Sequence, residues 1–156
     1  MDLTAWIREF AAFIEPELSA GGIQLAVDAP ESLRLPADAA QLRQILLNLV
    51  RNAQEALDGR PGRIALAVRR ERGALRQKRP AELAVLSVTD DGPGIAAAVQ
   101  ARLFDPFFTT KAAGTGLGLA IIARLIENHG GEIRFQTVEG KGTSFAVRLP
   151  VRRPVE

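Results

Sequence analysis

The sequence predicts an α+β fold, a two-layer α/β sandwich with a mixed sheet of about five strands and helices packed on one face. Three observations predict it. Two long segments, 4–20 and 38–57, carry apolar residues at helical spacing and keep one face apolar. Between and after them lie short β-branched and aliphatic runs bounded by glycine, proline and aspartate. The last 25 or so residues read as a strand pair closed by a glycine turn, and no repeat, low-complexity tract or linker interrupts the chain. At 156 residues the chain is long enough to bury roughly two-thirds of its unfolded surface as one domain.

The first helix, 4–20, places Trp6, Ile7, Phe10, Phe13 and Ile14 at helical spacing and ends at Gly21 and Gly22. "IQLAV" (23–27) and "SLRL" (32–35) read as short strands around a proline-containing turn. The next helix, 38–57, opens on Asp38 with Gln41 three residues later, a capping box built on aspartate. Leu42, Ile45, Leu46, Leu49, Val50 and Ala53 form its apolar face, and "DGRPG" stops it. "RIALAVR" (63–69) and "LAVLSV" (83–88) are strands either side of a basic loop. A short helix follows over 96–103 and a longer one over 116–128. "EIRFQTV" and "TSFAVRLP" make the closing hairpin across "EGKG".

Composition removes several function classes. There is no apolar run near the roughly 20 residues of a membrane span, and the start has no signal-peptide pattern. With no cysteine, disulfides and thiol catalysis are excluded, and a single histidine argues against a structural zinc site. The net charge is +2. Arg69, Arg70, Arg72, Arg76, Lys78 and Arg79 form one basic run with no aromatic among them, which fits a solvated hairpin loop better than a nucleic-acid patch.

Three segments offer chemistry. At 100° per residue, Asn48, Asn52 and Glu55 fall within roughly 60° of one another beside the apolar stripe of the 38–57 helix. Asparagine is a mediocre helix former, so the pair is either a solvated flank or a set of amide oxygens for a hard cation. Mg²⁺ on a triphosphate suits the latter, because phosphates and water complete its octahedron. "LAVLSVTDDGPGI" runs a strand into acids and glycines. It is either an ordinary turn or a site in which Asp90 accepts from an exocyclic amine while Gly92 and Gly94 let backbone close on a flat ring.

The third segment, "FDPFFTTKAAGTGLGL" (104–119), carries Gly114, Gly116 and Gly118. It does not follow a strand, so the dinucleotide fingerprint fails. "EGKGTS" has Gly142 where a Walker A loop needs Ser or Thr after lysine, so that fails too. What remains is a glycine-rich segment feeding the helix from about 116, whose free N–H groups and positive dipole end suit a polyphosphate. "TTKAAG" reads as a lid that places Lys111 against a phosphate.

Taken in order, "NLVRNAQEAL", "DDGPGI", "FDPFFTTK", "GTGLGLAI", "HGGEI" and "GKGTSFAVRLP" resemble the N, G1, F and G2 boxes and closing segment of histidine kinase catalytic domains, in the GHKL ATP-binding superfamily. The resemblance covers the chain from about residue 3, and "FFTTK" is most similar to the nitrogen-regulation type. It implies an ATP- and Mg²⁺-dependent protein-histidine kinase of the two-component systems. Asn52 would be the direct Mg²⁺ ligand, assisted by Asn48, and Asp90 would accept from the adenine amine. Gly92, Gly94, Gly114, Gly116, Leu117 and Gly118 would shape the nucleotide pocket and lid, with Thr143 backing Asp90. Many members have a phosphate-touching lysine three residues after the magnesium asparagine. Here that position is Glu55, so the contact falls to Lys111 in preference to Arg51, which lies off the asparagine stripe.

The hydrolases of the superfamily resemble this chain except for a water-activating glutamate one turn before the magnesium asparagine. Here that position is Asn48, which takes no proton. A neutral imidazole attacks with its own lone pair, so the resemblance implies phosphotransfer to histidine. The alternative is a slow ATPase or nucleotide-binding switch. His129, the sole histidine, reads as structural. The expectation is therefore that 1–156 is a catalytic domain, monomeric alone, whose sensor and phosphoacceptor dimerisation domains lie elsewhere. Its partners would be that dimerisation domain and a response regulator, with no nucleic acid. It would work in the cytoplasm, the parent being open to anchorage in the inner membrane.

Overall fold

The structure, a computed structural model, describes residues 1–29, 32–76, 78–106 and 118–152. Helix α1 spans Leu3–Ala20, capped by Asp2, whose side chain accepts from Ala5 N–H at 3.2 Å. Strand β1 (Ile23–Asp28), helix α2 (Ala39–Leu57), strands β2 (Gly62–Gly73) and β3 (Ala81–Asp90), helices α3 (Ala97–Gln100) and α4 (Gly118–Asn128), and strands β4 (Glu132–Val138) and β5 (Gly142–Pro150) follow. The strands form one five-stranded sheet in the order β1-β2-β3-β5-β4, with β1 and β2 parallel and the other neighbours antiparallel. The expected mixed sheet, with helices on one face, is what the chain builds.

Alternation along the strands decides which face is covered. Ile64, Leu66 and Val68 of β2, Ala84, Leu86 and Val88 of β3, and Phe145, Val147 and Leu149 of β5 share one side and join a single core. The helices supply the other half: Ile7, Phe10 and Ile14 of α1, Leu42, Ile45, Leu46 and Leu49 of α2, and Ile122 and Ile126 of α4 are all buried there. Each such side chain contributes roughly 1.5–3 kcal/mol when removed from water. The opposite side of the sheet buries a small patch at one end, where Leu83 and Val85 lie with Leu75 and Arg148. Arg148 is held there by ion pairs to Glu132 and, at 3.7 Å, Glu71.

Three expectations change. The segment 32–35 is not a strand: only Arg34 makes a single bridge, to Asp2. Its backbone instead meets the start of α1, with Leu3 N–H donating to Leu33 C=O at 2.8 Å and Leu35 N–H to Met1 C=O at 3.1 Å. With Leu33 and Leu35 both buried, the alternation plugs the core beneath α1 rather than joining the sheet. Strands β2 and β3 run further than predicted, so Arg70 and Arg72 join Arg69 in β2 rather than lying in a loop. The ladder persists to Gly73 and Ala81. Arg70 meets Glu82 at 3.6 Å across it, a pairing that offsets charge in the outer hairpin. The helix expected over 96–103 shortens to Ala97–Gln100, which buries none of its residues and has nothing to extend it. The chain turns instead, and Phe104 packs toward Phe135 with ring centroids 6.0 Å apart.

The start of helix α2 is capped by one local and one remote device. Asp38 accepts from Gln41 N–H at 3.0 Å, the expected half of the capping box. The other half is supplied from elsewhere: the N–H of Asp38 donates to Nε2 of His129 at 3.2 Å, while Nδ1 of His129 lies 2.9 Å from the carbonyl of Leu125. The ring therefore carries its proton on Nδ1 and ties the end of α4 to the start of α2. At the far end of α2, Asp58 takes the left-handed conformation (φ 50°) and its N–H closes on Gln54 and Glu55.

Candidate functional site

The end of β3 brings a carboxylate into the helix-facing layer. Asp90 pairs with Ile64 on one side and Thr143 on the other, and only 6% of it is exposed. The N–H of Gly92 donates to its Oδ1 at 2.9 Å, and the backbone of Thr143 supplies a second hydrogen bond. Burial nevertheless pushes the Asp90 pKa above its ordinary 3.8, the two backbone bonds pull it down, and the charge of Asp91 adds to the rise. A desolvated carboxylate of this kind gains from any further donor. Asp91 is different: it is exposed and its Oδ1 accepts from Arg63 N–H at 2.8 Å, bracing the start of β2.

The glycines after Asp90 are there for close approach. A Cβ on Gly92 would lie 2.9 Å from Asp90 Oδ1 and 3.4 Å from the carbonyl oxygen of Ala56, so the loop is pressed between the carboxylate and the last turn of α2. Gly94 has φ +78°, and a side chain there would drive into the carbonyl of Val138.

Ala56 is one helical turn beyond Asn52, which is one turn beyond Asn48. Both asparagines are half-buried, whereas Arg51 and Glu55 are exposed. Asn48 Nδ2 donates to the carbonyl of Gln44 at 2.9 Å, which turns its Oδ1 outward. That oxygen faces the amino end of α4, where a Cβ on Gly118 would lie 3.8 Å away. Gly92 thus meets α2 at Ala56 and Asn48 faces Gly118, which brings the end of β3, the asparagine flank of α2 and the start of α4 together. Thr143 is buried beside Asp90. Lys111, Gly114, Gly116 and Leu117, and with them the expected lid over 109–115, lie outside the described residues.

No group of three or more His, Cys, Asp or Glu among the described residues is placed to hold a metal ion. A cation here would depend on amide oxygens and the ligand's own phosphates, which is the donor set that Asn48 and Asn52 offer. Sequence reasoning missed Thr137. Its hydroxyl accepts from Ile95 N–H at 2.8 Å and lies 2.9 Å from Oγ1 of Thr143. The signal was present, because Phe135 and Phe145 face the core and parity then places Thr137 and Thr143 inward as well.

A buried acceptor at a strand end, a glycine loop against a helix and asparagines along that helix's flank define a nucleotide-binding ATPase-type domain. Residues 37–153 match the family model described as histidine kinase-, DNA gyrase B- and HSP90-like ATPase, and the chain belongs to that family. It is 46% identical over 130 residues to the sensor histidine kinase ZraS of Salmonella typhimurium, a match covering 83% of this chain but 26% of that protein. The chain therefore spans about a quarter of such a relative's length. Among solved structures it resembles the catalytic domain of histidine kinase ThkA, with TM-score 0.79, 33% identity, and coverage of 97% of this chain and 94% of that one. It also resembles ThkA in complex with the response regulator protein TrrA, with TM-score 0.74, 31% identity, and coverage of 97% and 41%. The fold is that of a histidine kinase catalytic domain. Among the described residues, no helix is long and apolar enough to cross a membrane.

Proposed function

We propose that residues 1–156 are the ATP-binding catalytic domain of a two-component sensor histidine kinase, which passes the γ-phosphate of ATP to a histidine on a separate dimerisation domain. In that step the γ-phosphorus bond to the bridging oxygen breaks, its electrons leave with ADP, and a bond forms to an imidazole nitrogen. The attacking nitrogen brings its own lone pair, so the domain has to position and neutralise rather than abstract a proton.

Asp90 accepts from the adenine amine, and Gly92, Gly94 and Thr143 shape the wall around the base. Gly118 opens α4 toward the phosphates, with Gly114, Gly116, Leu117 and Lys111 assigned to the same task from sequence. Asn52, assisted by Asn48, would hold Mg²⁺, which supplies charge neutralisation on the phosphate oxygens. The partners are the phosphoacceptor dimerisation domain and a response regulator, the kind of protein with which ThkA has been solved. On this reading the domain works in the cytoplasm.

The observation that carries phosphotransfer over hydrolysis is Asn48. It stands on the flank of α2 with its amide nitrogen held by Gln44 and an oxygen facing α4, and it takes no proton from water. The test is incubation with γ-labelled ATP, with and without the parent's dimerisation helices. Label on the helices' histidine only when they are added supports the reading. Several turnovers per minute by the isolated chain would sink it in favour of an ATPase.

A further inference from the structure

Between the glycine loop and the edge of the sheet lies a hydroxyl that the assignments above leave without a role. Thr137 of edge strand β4 is directly opposite Thr143, which is directly opposite Asp90, so the three side chains form a row on the helix-facing side. Two hydrogen bonds tie the β4–β5 turn to the loop on either side of Gly94. The N–H of Gly140 donates to the carbonyl of Pro93 at 2.7 Å, and the N–H of Ile95 donates to Thr137 Oγ1 at 2.8 Å. Thr137 Oγ1 also lies 3.2 Å from the carbonyl oxygen of Gly142 and 2.9 Å from Thr143 Oγ1.

A hydroxyl has one proton to give. If Thr137 gives it to Gly142, Thr143 donates to Thr137 and turns only lone pairs outward. If Thr137 gave it to Thr143 instead, the bond to Gly142 would be lost and the Thr143 proton would turn toward Asp90. The Gly142 carbonyl can only accept, so its contact with Thr137 requires that proton: Thr137 donates to Gly142 and accepts from Ile95 N–H and from Thr143.

We propose that Thr137 is a positioning residue for base selection. Its hydroxyl clamps the Gly92–Gly94 loop to the β4–β5 turn and, by taking the Thr143 proton, leaves Thr143 only lone pairs to present beside Asp90, a match for a donor amine. This rests on the reading of Asp90 as the acceptor for the adenine amine.

The test is calorimetric titration of the 156-residue chain with ADP and with inosine diphosphate, which lacks the exocyclic amine, read as the ratio of the two dissociation constants. A loss of folded protein scales both constants alike and leaves the ratio unmoved. Thr137→Val should reduce the preference for ADP about tenfold, the scale of one well-made hydrogen bond in a dry site. Thr137→Ser, which keeps the hydroxyl, should hold the preference within about threefold of wild type. Thr137→Ala serves if valine crowds the row. A wild-type ratio in both Thr137→Val and Thr137→Ala, or a serine variant as poor as valine, overturns the proposal. Asp90→Asn separates the two readings. If it erases the preference while Thr137→Val retains it, only the role of Thr137 falls. If Asp90→Asn retains the preference, the base-site reading falls and this proposal with it.

Discussion

Asp90 and Thr143 face each other across the β3–β5 ladder, and the backbone of Thr143 helps to hold a carboxylate that burial has made hungry for donors. The nearest neighbour in sequence, Asp91, is spent on the backbone of Arg63. One acid of the pair is thus buried at the strand end and the other is engaged by the fold.

Asp90→Asn should weaken ATP and ADP binding about tenfold or more, since a hydrogen bond to a charged acceptor is lost and the amide presents a donor toward the adenine amine. Calorimetry on the nucleotide-free chain checks it. Unchanged affinity would remove Asp90 from the pocket.

The raised pKa of Asp90 has a pH signature. The folded chain holds that proton more tightly than the unfolded chain. The associated stability is fully present below 3.8 and is lost as pH rises through the higher folded-state value. In nucleotide-free samples, wild type should therefore gain melting temperature relative to Asp90→Asn as pH falls through that window. Nucleotide affinity should move the opposite way, weakening as the carboxylate is protonated. A difference between the two proteins that is flat with pH would count against the buried acid.

Asn52→Ala should abolish the Mg²⁺-dependent part of nucleotide affinity. It should move the melting temperature by no more than about 2 °C, because a half-buried helix flank contributes little packing. Titrations with and without Mg²⁺, alongside thermal melts, decide this. A collapse in stability with Mg²⁺-dependent binding intact would make Asn52 a packing residue.

His129→Ala should cost about 1–2 kcal/mol, because both ring nitrogens bridge backbone groups of α2 and α4. Denaturant unfolding measures that loss. The Nε2 lone pair is already engaged by Asp38 N–H, so incubation with labelled ATP should leave His129 unphosphorylated. Label on this residue would contradict its structural assignment.

Arg148→Ala should destabilise by about 1–2 kcal/mol, since it removes a buried guanidinium that pairs with Glu132 and Glu71, while Glu132 keeps Arg134 at 3.1 Å and the N–H of Arg76. Arg148 pairs with Val85, far along β3 from Asp90, so ADP affinity of the folded variant should stay within about twofold of wild type. A parallel loss of affinity would show that the two ends of the sheet are coupled.

Local chemistry made much of this chain legible from its residues alone. Apolar periodicity located α1 and α2, Asp38 marked the start of α2, and the "EGKG" turn set the β4–β5 hairpin, because each depends on residues within a few positions of one another. The order of the asparagine, aspartate and glycine segments was likewise enough to indicate the family. Contacts between distant segments were decided only by the tertiary structure. Leu33 and Leu35 alternate like a strand yet fill the core beneath α1, because their backbone bonds to Met1 and Leu3 rather than to a strand. The sequence singled out Asp90 as the acceptor, but its burial, and the turn of Asp91 to Arg63, follow from the pleat and pairing of β3. The Asp38 N–H could have closed on Gln41 but meets His129, 91 residues away, and Thr137 acquires its partners only when β4 pairs with β5. Burial and cross-strand pairing are properties of the folded whole, which is why no window of sequence displays them.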